Sequence, residues 1–100
     1  MAPALRCAAR LHARDMSVRG YFGHTAPEAV SFSQRIELAG YAWRTVGENI
    51  AGGYATPQAV VDGWMSSEGH CRIIMNPMFS QLGVGLFGSG MWTQTFGAPL

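Results

Sequence analysis

The chain is 100 residues long, 48% hydrophobic and only 13% charged, with seven Arg, no Lys and six acidic residues for a formal net charge of +1. That length and apolar share allow one core-forming domain over residues 1–100 and exclude a disordered chain; a near-neutral balance excludes a nucleic-acid binder, which needs a clustered basic footprint. Every charge lies between Arg6 and Arg72, but Asn76-Pro77, Gly83, Gly85 and Gly88-Ser89-Gly90 interrupt the uncharged stretch that follows, so no transmembrane span is expected.

Pro3 suits the first turn of a helix, and helical spacing runs on to Arg19. At about 100° per residue, Leu5, Ala9, His12 and Met16 form one apolar stripe. Cys7, Leu11 and Val18 form a second, with Arg6, Arg10 and Arg14 on the arc between them. Two apolar stripes predict a helix packed against two partners. The Arg row reads as a solvated face ahead of an anionic-ligand patch. No signal peptide pattern opens the chain: Met1-Ala2-Pro3-Ala4 leads directly into this helix. Gly20 ends it, and Tyr21-Phe22-Gly23-His24-Thr25 reads as an ordered loop.

Ser31-Phe32-Ser33-Gln34 has the pattern of a capping box, opening a short helix through Ala39 that Gly40 stops. From Trp43 to Gly53 the residues predict extended chain, bent around a Gly47-Glu48 kink. Thr56-Pro57 is a strong helix start, with Val60 and Trp64 on one face. A further short helix from Gly69 to Met75 must stop at Asn76-Pro77. In the tail, Leu82, Val84 and Leu86 alternate with glycines, and Met91 to Phe96 is rich in strand formers. The two segments predict an antiparallel hairpin turning at Gly88-Ser89-Gly90. Glycine on one face invites close approach of a helix, and the absence of charge predicts a sheet covered on both sides. Met75, Met78 and Phe79 read as core packing.

Few residues could carry chemistry. There is no Gly-x-Ser-x-Gly elbow, no phosphate-binding Gly-Lys-Ser/Thr loop and no Cys-x-x-Cys pair. Ser66 and Ser67 read as helix caps. His12 lies on the inner stripe of the first helix and reads as a core histidine. His24 in its loop, His70 at a helix start and Glu48 between Gly47 and Asn49 are the remaining candidates, if they converge. Cys7 and Cys71 are the only cysteines. Free thiols and a bridge both remain open; a bridge closing so long a loop would contribute on the order of 4 kcal/mol.

Taken in order, several short motifs resemble one family. They are Leu5-x-x-Ala8-Ala9-x-x-His12-Ala13-x-Asp15-Met16, Tyr21-Phe22-Gly23-His24-Thr25, Arg35-Ile36-x-x-Ala39-Gly40-Tyr41 and Gly47-Glu48-Asn49-Ile50-Ala51. After them come Trp64-Met65-x-Ser67-x-Gly69-His70, Asn76-Pro77-x-Phe79, Gly83-Val84-Gly85 and Trp92-Thr93-Gln94-x-Phe96-Gly97. Together they resemble the bacterial CAP domain, of the superfamily of cysteine-rich secretory proteins, venom antigen-five and plant pathogenesis-related proteins. The resemblance spans nearly the whole chain. Bacterial members carry an earlier helical segment with an Asn and Arg motif, and its absence predicts an N-terminally truncated domain with uncovered apolar surface and possible self-association.

The resemblance implies an α+β fold, an α-β-α sandwich around a small central antiparallel sheet. It implies an extracellular or periplasmic protein and, with that, a Cys7–Cys71 disulfide. It also implies a cleft in which His24, His70 and Glu48 bind a divalent metal such as Zn²⁺ or a small ligand; two His plus a carboxylate suit zinc chemically. The second acid of eukaryotic relatives falls on Ser67, with Glu68 displaced by one residue. The expected function is therefore an exported binding module without established catalysis, whose partner is a small ligand, lipid or cell-envelope component. A hydrolase using His24, Glu48 and His70 is the alternative, and lipid binding through Met75, Met78 and Phe79 a third.

Overall fold

Two glycines set how closely the layers of this molecule meet. In the computed structural model, which describes residues 2–88 and 90–100, helix α1 (Pro3–Arg19) lies directly on strand β2 (Gln81–Phe87). A Cβ at Gly83 would stand 2.2 Å from the Arg6 backbone nitrogen, and one at Gly85 2.4 Å from that of Arg10. Only glycine lets helix and strand backbones touch there. Thr95 on strand β3 (Met91–Pro99) seals the contact by donating from Oγ1 to the Leu5 carbonyl at 2.7 Å.

The other elements follow their sequence signals. Gly20 caps α1 in the left-handed region at φ +70°. Helix α2 (Phe32–Leu38) opens with a capping box in which Ser31 and Gln34 satisfy each other's backbone. Helix α3 (Pro57–Met65) starts at Thr56, whose side chain accepts from the Ala59 amide. Helix α4 (Glu68–Ile74) precedes Asn76-Pro77. The hairpin turn is described only at Gly88 and Gly90, both at positive φ; Ser89 lies outside the described residues.

The sheet has three antiparallel strands in the order β1-β3-β2. Strand β1 (Trp43–Gly52) pairs with β3 continuously from Thr45, and its one irregularity falls between Trp43 and Thr45. The kink expected at Gly47-Glu48 is absent. Gly47 stays in register opposite Phe96, and glycine is needed there because the Phe79 ring lies 2.8 Å from where a Cβ would be. Pairing opposite Phe96, Gln94 and Trp92 puts Gly47, Asn49 and Ala51 on one face, and Glu48 and Ile50 on the other.

Helices cover both faces, giving the α-β-α sandwich. On one side Leu5, Ala8, Ile36 and Tyr41 join α1 and α2 to the sheet. On the other, Val60 and Trp64 of α3 pack on Ala51 and Trp92. This layering corrects the expected disulfide. Cys7 is an exposed thiol on α1 and Cys71 a half-buried one on α4. The sheet stands between those helices, whereas a disulfide needs Cα atoms within about 7 Å. Both cysteines are free.

Two packing expectations also change. The inner stripe of α1 is buried throughout, but its second stripe has no partner among the described residues: Leu11 is 56% exposed and Val18 66%. Met75 and Met78 are exposed as well, leaving Phe79 alone to pack, stacked on Phe96 at a centroid distance of 5.6 Å. No described helix is long and apolar enough to cross a membrane.

Candidate functional site

Glu48 is the charged residue most withdrawn from water. It lies mid-strand on the α1 face of β1, and its side chain is 1% exposed. A carboxylate so placed is retained only if its oxygens are satisfied. Arg35, projecting from α2, supplies a two-oxygen clamp: its Nη2 donates to Oε1 at 3.0 Å and to Oε2 at 2.8 Å. His24 Nδ1 donates to Oε1 at 2.9 Å. The buried carboxylate thus joins helix α2, strand β1 and the loop after α1.

A carboxylate only accepts, so the proton of neutral His24 is fixed on Nδ1 and Nε2 is left as a bare acceptor. The ring is 48% exposed and meets Phe32 edge-on at 6.3 Å. It is held from behind and open in front.

His12 shows the opposite arrangement. It is fully buried, donating from Nε2 to the Gly23 carbonyl at 2.8 Å, with Glu48 Oε1 at 3.8 Å. Burial holds its pKa below the usual imidazole range, outweighing the attraction of Glu48. Among the described residues its Nδ1 has no hydrogen-bond partner. His12 is thus a core histidine that fixes the carbonyl next to His24. Tyr21 at the loop entrance donates to Asp15, and burial together with that carboxylate pushes its hydroxyl up to about 12.

His70 reaches the site from the other side of the sheet. Asn49 anchors it, donating from Nδ2 to the His70 carbonyl at 3.2 Å and to Gln94 Oε1 at 3.1 Å. The imidazole Nδ1 lies 2.8 Å from Ser67 Oγ. Ser67 occupies the N-cap position of α4 but makes no capping bond with its side chain. Its hydroxyl is spent on His70, contrary to the cap expected from sequence.

His24 and His70 line one cleft of about 540 Å³ with Phe22, Tyr54, Trp64 and Ser67. Trp64 braces the floor, donating to the Ile50 carbonyl at 3.1 Å. Glu48 does not reach this lining; it borders a second hollow of about 370 Å³ on the far side of His24, with Phe32, Val46 and Phe79. Glu68 turns to solvent and pairs with Arg72. Among the described residues no group of three or more His, Cys, Asp or Glu could hold a metal ion. The structure therefore presents two imidazoles to the cleft, with Glu48 behind the first. Arg35 and Ser67 were missed as site residues. Arg35 carried no local signal for this role, which exists only once α2 lies against β1, whereas Ser67 carried one in its spacing of three before His70.

Comparison with known proteins agrees with this architecture. The model of the cysteine-rich secretory protein family, CAP, matches residues 2–96. The chain is 45% identical over 89 residues to the uncharacterized protein YkwD of Bacillus subtilis, covering 88% of this chain and 35% of that protein. It is 36% identical over 85 residues to the uncharacterized membrane protein YlbC of the same organism, covering 85% of this chain and 24% of that one. It thus spans about a third and a quarter of these relatives. An extracellular SCP-domain protein of Bacillus anthracis superposes with a TM-score of 0.92 at 31% identity, over 96% of this chain and 32% of that one. An outer surface protein of Borrelia burgdorferi shares the fold, with a TM-score of 0.90 at 19% identity, over 99% of this chain and 76% of that one. This chain belongs to the CAP family of cysteine-rich secretory proteins.

Proposed function

We propose that this chain is an exported module of the bacterial cell envelope whose cleft binds a divalent metal or small ligand through His24 and His70. One observation carries the reading: each ring is tied down through Nδ1, His24 by Glu48 and His70 by Ser67, while both line the same cleft. Metal-binding histidines are held in this way, with the far nitrogen engaged by a carboxylate or similar group that orients the ring and raises its basicity. Two imidazoles suit a transition ion whose remaining positions are filled by water or by the ligand, and Zn²⁺ is the leading candidate. His24 and His70 would hold it, with Glu48 and Ser67 as their supports. Bound there, zinc would supply Lewis acidity. Location at the envelope is supported by relatives that are membrane, extracellular and outer surface proteins.

Calorimetric titration with Zn²⁺ tests the reading. The wild type should give saturable heats that weaken in acid, where protons compete for the ring nitrogens. A His24→Ala/His70→Ala variant should give none. Unchanged heats in that variant would remove the metal site.

A second reading rests on Ser67. Its Oγ lies in hydrogen-bond reach of His70 Nδ1, the geometry of a nucleophile and its base. This requires the His70 tautomer with its proton on Nε2, so that Nδ1 accepts from the hydroxyl. Turnover of an ester library abolished by Ser67→Ala and untouched by chelator would favour this hydrolase; metal-dependent binding without turnover favours the first.

A further inference from the structure

A strand at the margin of a sheet keeps one row of amides and carbonyls that no neighbouring strand takes. Strand β1 is such a margin in the order β1-β3-β2. The Gly53 amide donates to the Gly90 carbonyl at 2.9 Å, which places the bonded pairs with β3 at Gly47, Asn49 and Ala51. Val46, Glu48, Ile50 and Gly52 therefore turn their backbones away from the sheet. Trp64 agrees with this phase, since it donates to the Ile50 carbonyl at 3.1 Å. Among the described residues no other side chain, and no backbone group outside the sheet, bonds this edge.

Two hollows lie along that edge. The histidine cleft of about 540 Å³ is lined by Ile50, Ala51 and Gly52, and the hollow of about 370 Å³ by Val46, Gly47 and Glu48. His24 lines both, so they meet at its ring. Val46 to Gly52 spans about 20 Å of extended chain. A compact ligand fills one hollow; only an elongated one occupies both and meets the whole edge. The charged side chains bordering them are already paired, Glu48 with Arg35 and Arg72 with Glu68, which leaves little to hold an ionic ligand. The walls offer rings and aliphatic groups instead: Phe22, Tyr54 and Trp64 at one end, Phe32, Ile73 and Phe79 at the other. A peptide carries both halves of the complement, amides and carbonyls at the strand repeat and side chains for the walls. A second copy of this chain is a poor occupant. Its own β1 edge is as deeply set, with Glu48, Asn49, Ile50 and Ala51 all buried, so two such edges cannot meet.

We propose that the cleft and the adjoining hollow are one groove for an extended peptide segment of about seven residues, which adds as a further strand along β1. Alternate amides and carbonyls of the peptide pair with Glu48, Ile50 and Gly52. Its apolar side chains enter the two hollows, and its backbone passes the His24 ring where they meet. The inference rests on the reading of the cleft as a ligand site, but not on metal binding there.

An array of capped heptapeptides with apolar residues at alternate positions tests it, with chelator present. The array should yield binders. In the tightest of them, N-methylation of alternate amides should weaken binding on the order of tenfold, while methylation of the amides between leaves it unchanged. When that peptide is added, the Ile50 and Gly52 amides should gain protection from hydrogen exchange; those of Asn49 and Ala51, already bonded to β3, should not. Gly52→Pro removes an outward amide without touching a bond to β3. It should keep the wild-type circular dichroism and bind about tenfold less. Chelator keeps Zn²⁺ out, so peptide binding and the Zn²⁺ heats succeed or fail separately. Absence of binders, equal losses from methylation at every amide, or wild-type affinity in Gly52→Pro would overturn the proposal. So would a dimer of the free protein that Gly52→Pro dissociates, which would give the edge to a second copy.

Discussion

The two histidines of the cleft are held by different physics. His24 leans on a buried carboxylate that Arg35 clamps at both oxygens, so its tautomer is set by a charge. His70 leans on a hydroxyl that can donate or accept, so its tautomer is open. One end of the site is fixed before any ligand arrives. The other can adjust, and the choice it makes decides between a ligand nitrogen and a general base.

Removing Arg35 should break this contrast most severely. With its side chain 12% exposed, Arg35→Met leaves Glu48 a buried charge without its guanidinium, held only by the His24 hydrogen bond. The expected cost is about 3–5 kcal/mol of folding stability by urea titration; a loss below about 1 kcal/mol would show that Glu48 needs no partner. Asn49→Ala frees the other ring from the sheet by removing two hydrogen bonds and should cost about 1–3 kcal/mol. It should also weaken Zn²⁺ binding, whereas an unchanged affinity would deny Asn49 a role in placing His70.

The pH dependence of stability sharpens the contrast through the third histidine. Burial lowers the His12 pKa in the folded state, so below about 6.5 the unfolded chain takes up a proton the folded one resists. Stability from His12 is thus present above that pH and is lost as pH falls, by up to about 1.4 kcal/mol per unit. Glu48 and Asp15 oppose this shift and Arg35 reinforces it. His12→Gln should melt with a shallower acid slope than wild type; parallel slopes would contradict the assignment. Ser67→Ala, at the adjustable end, should have the smallest effect, below about 1 kcal/mol. A larger loss would make Ser67 a structural anchor comparable to Glu48.

How much of this could be read from sequence followed from how local each signal was. Caps at Ser31 and Thr56, the stop at Gly20 and the glycines at 83 and 85 are decided within a few residues, and the structure repeats them. Arg35 escaped notice because its role exists only when α2 is laid against β1, a tertiary fact with no local pattern. The Cys7–Cys71 pairing failed for the same reason: which face of the sheet each helix covers is not written near either cysteine. The second stripe of α1 was legible as apolar, but its exposure was not, since hydrophobicity does not name its partner. His24, Glu48 and His70 were found as residues, yet only the fold separates two that line the cleft from one that stands behind.

Nitrogen-resolved NMR of the imidazole rings during a Zn²⁺ titration tests the central claim most directly. Before metal, His24 should carry its proton on Nδ1, held by Glu48. On titration the Nε2 resonances of His24 and His70 should move together while His12 stays fixed. A proton on His24 Nε2 in the free protein, or movement confined to one ring, would contradict a cleft built from two imidazoles anchored through Nδ1.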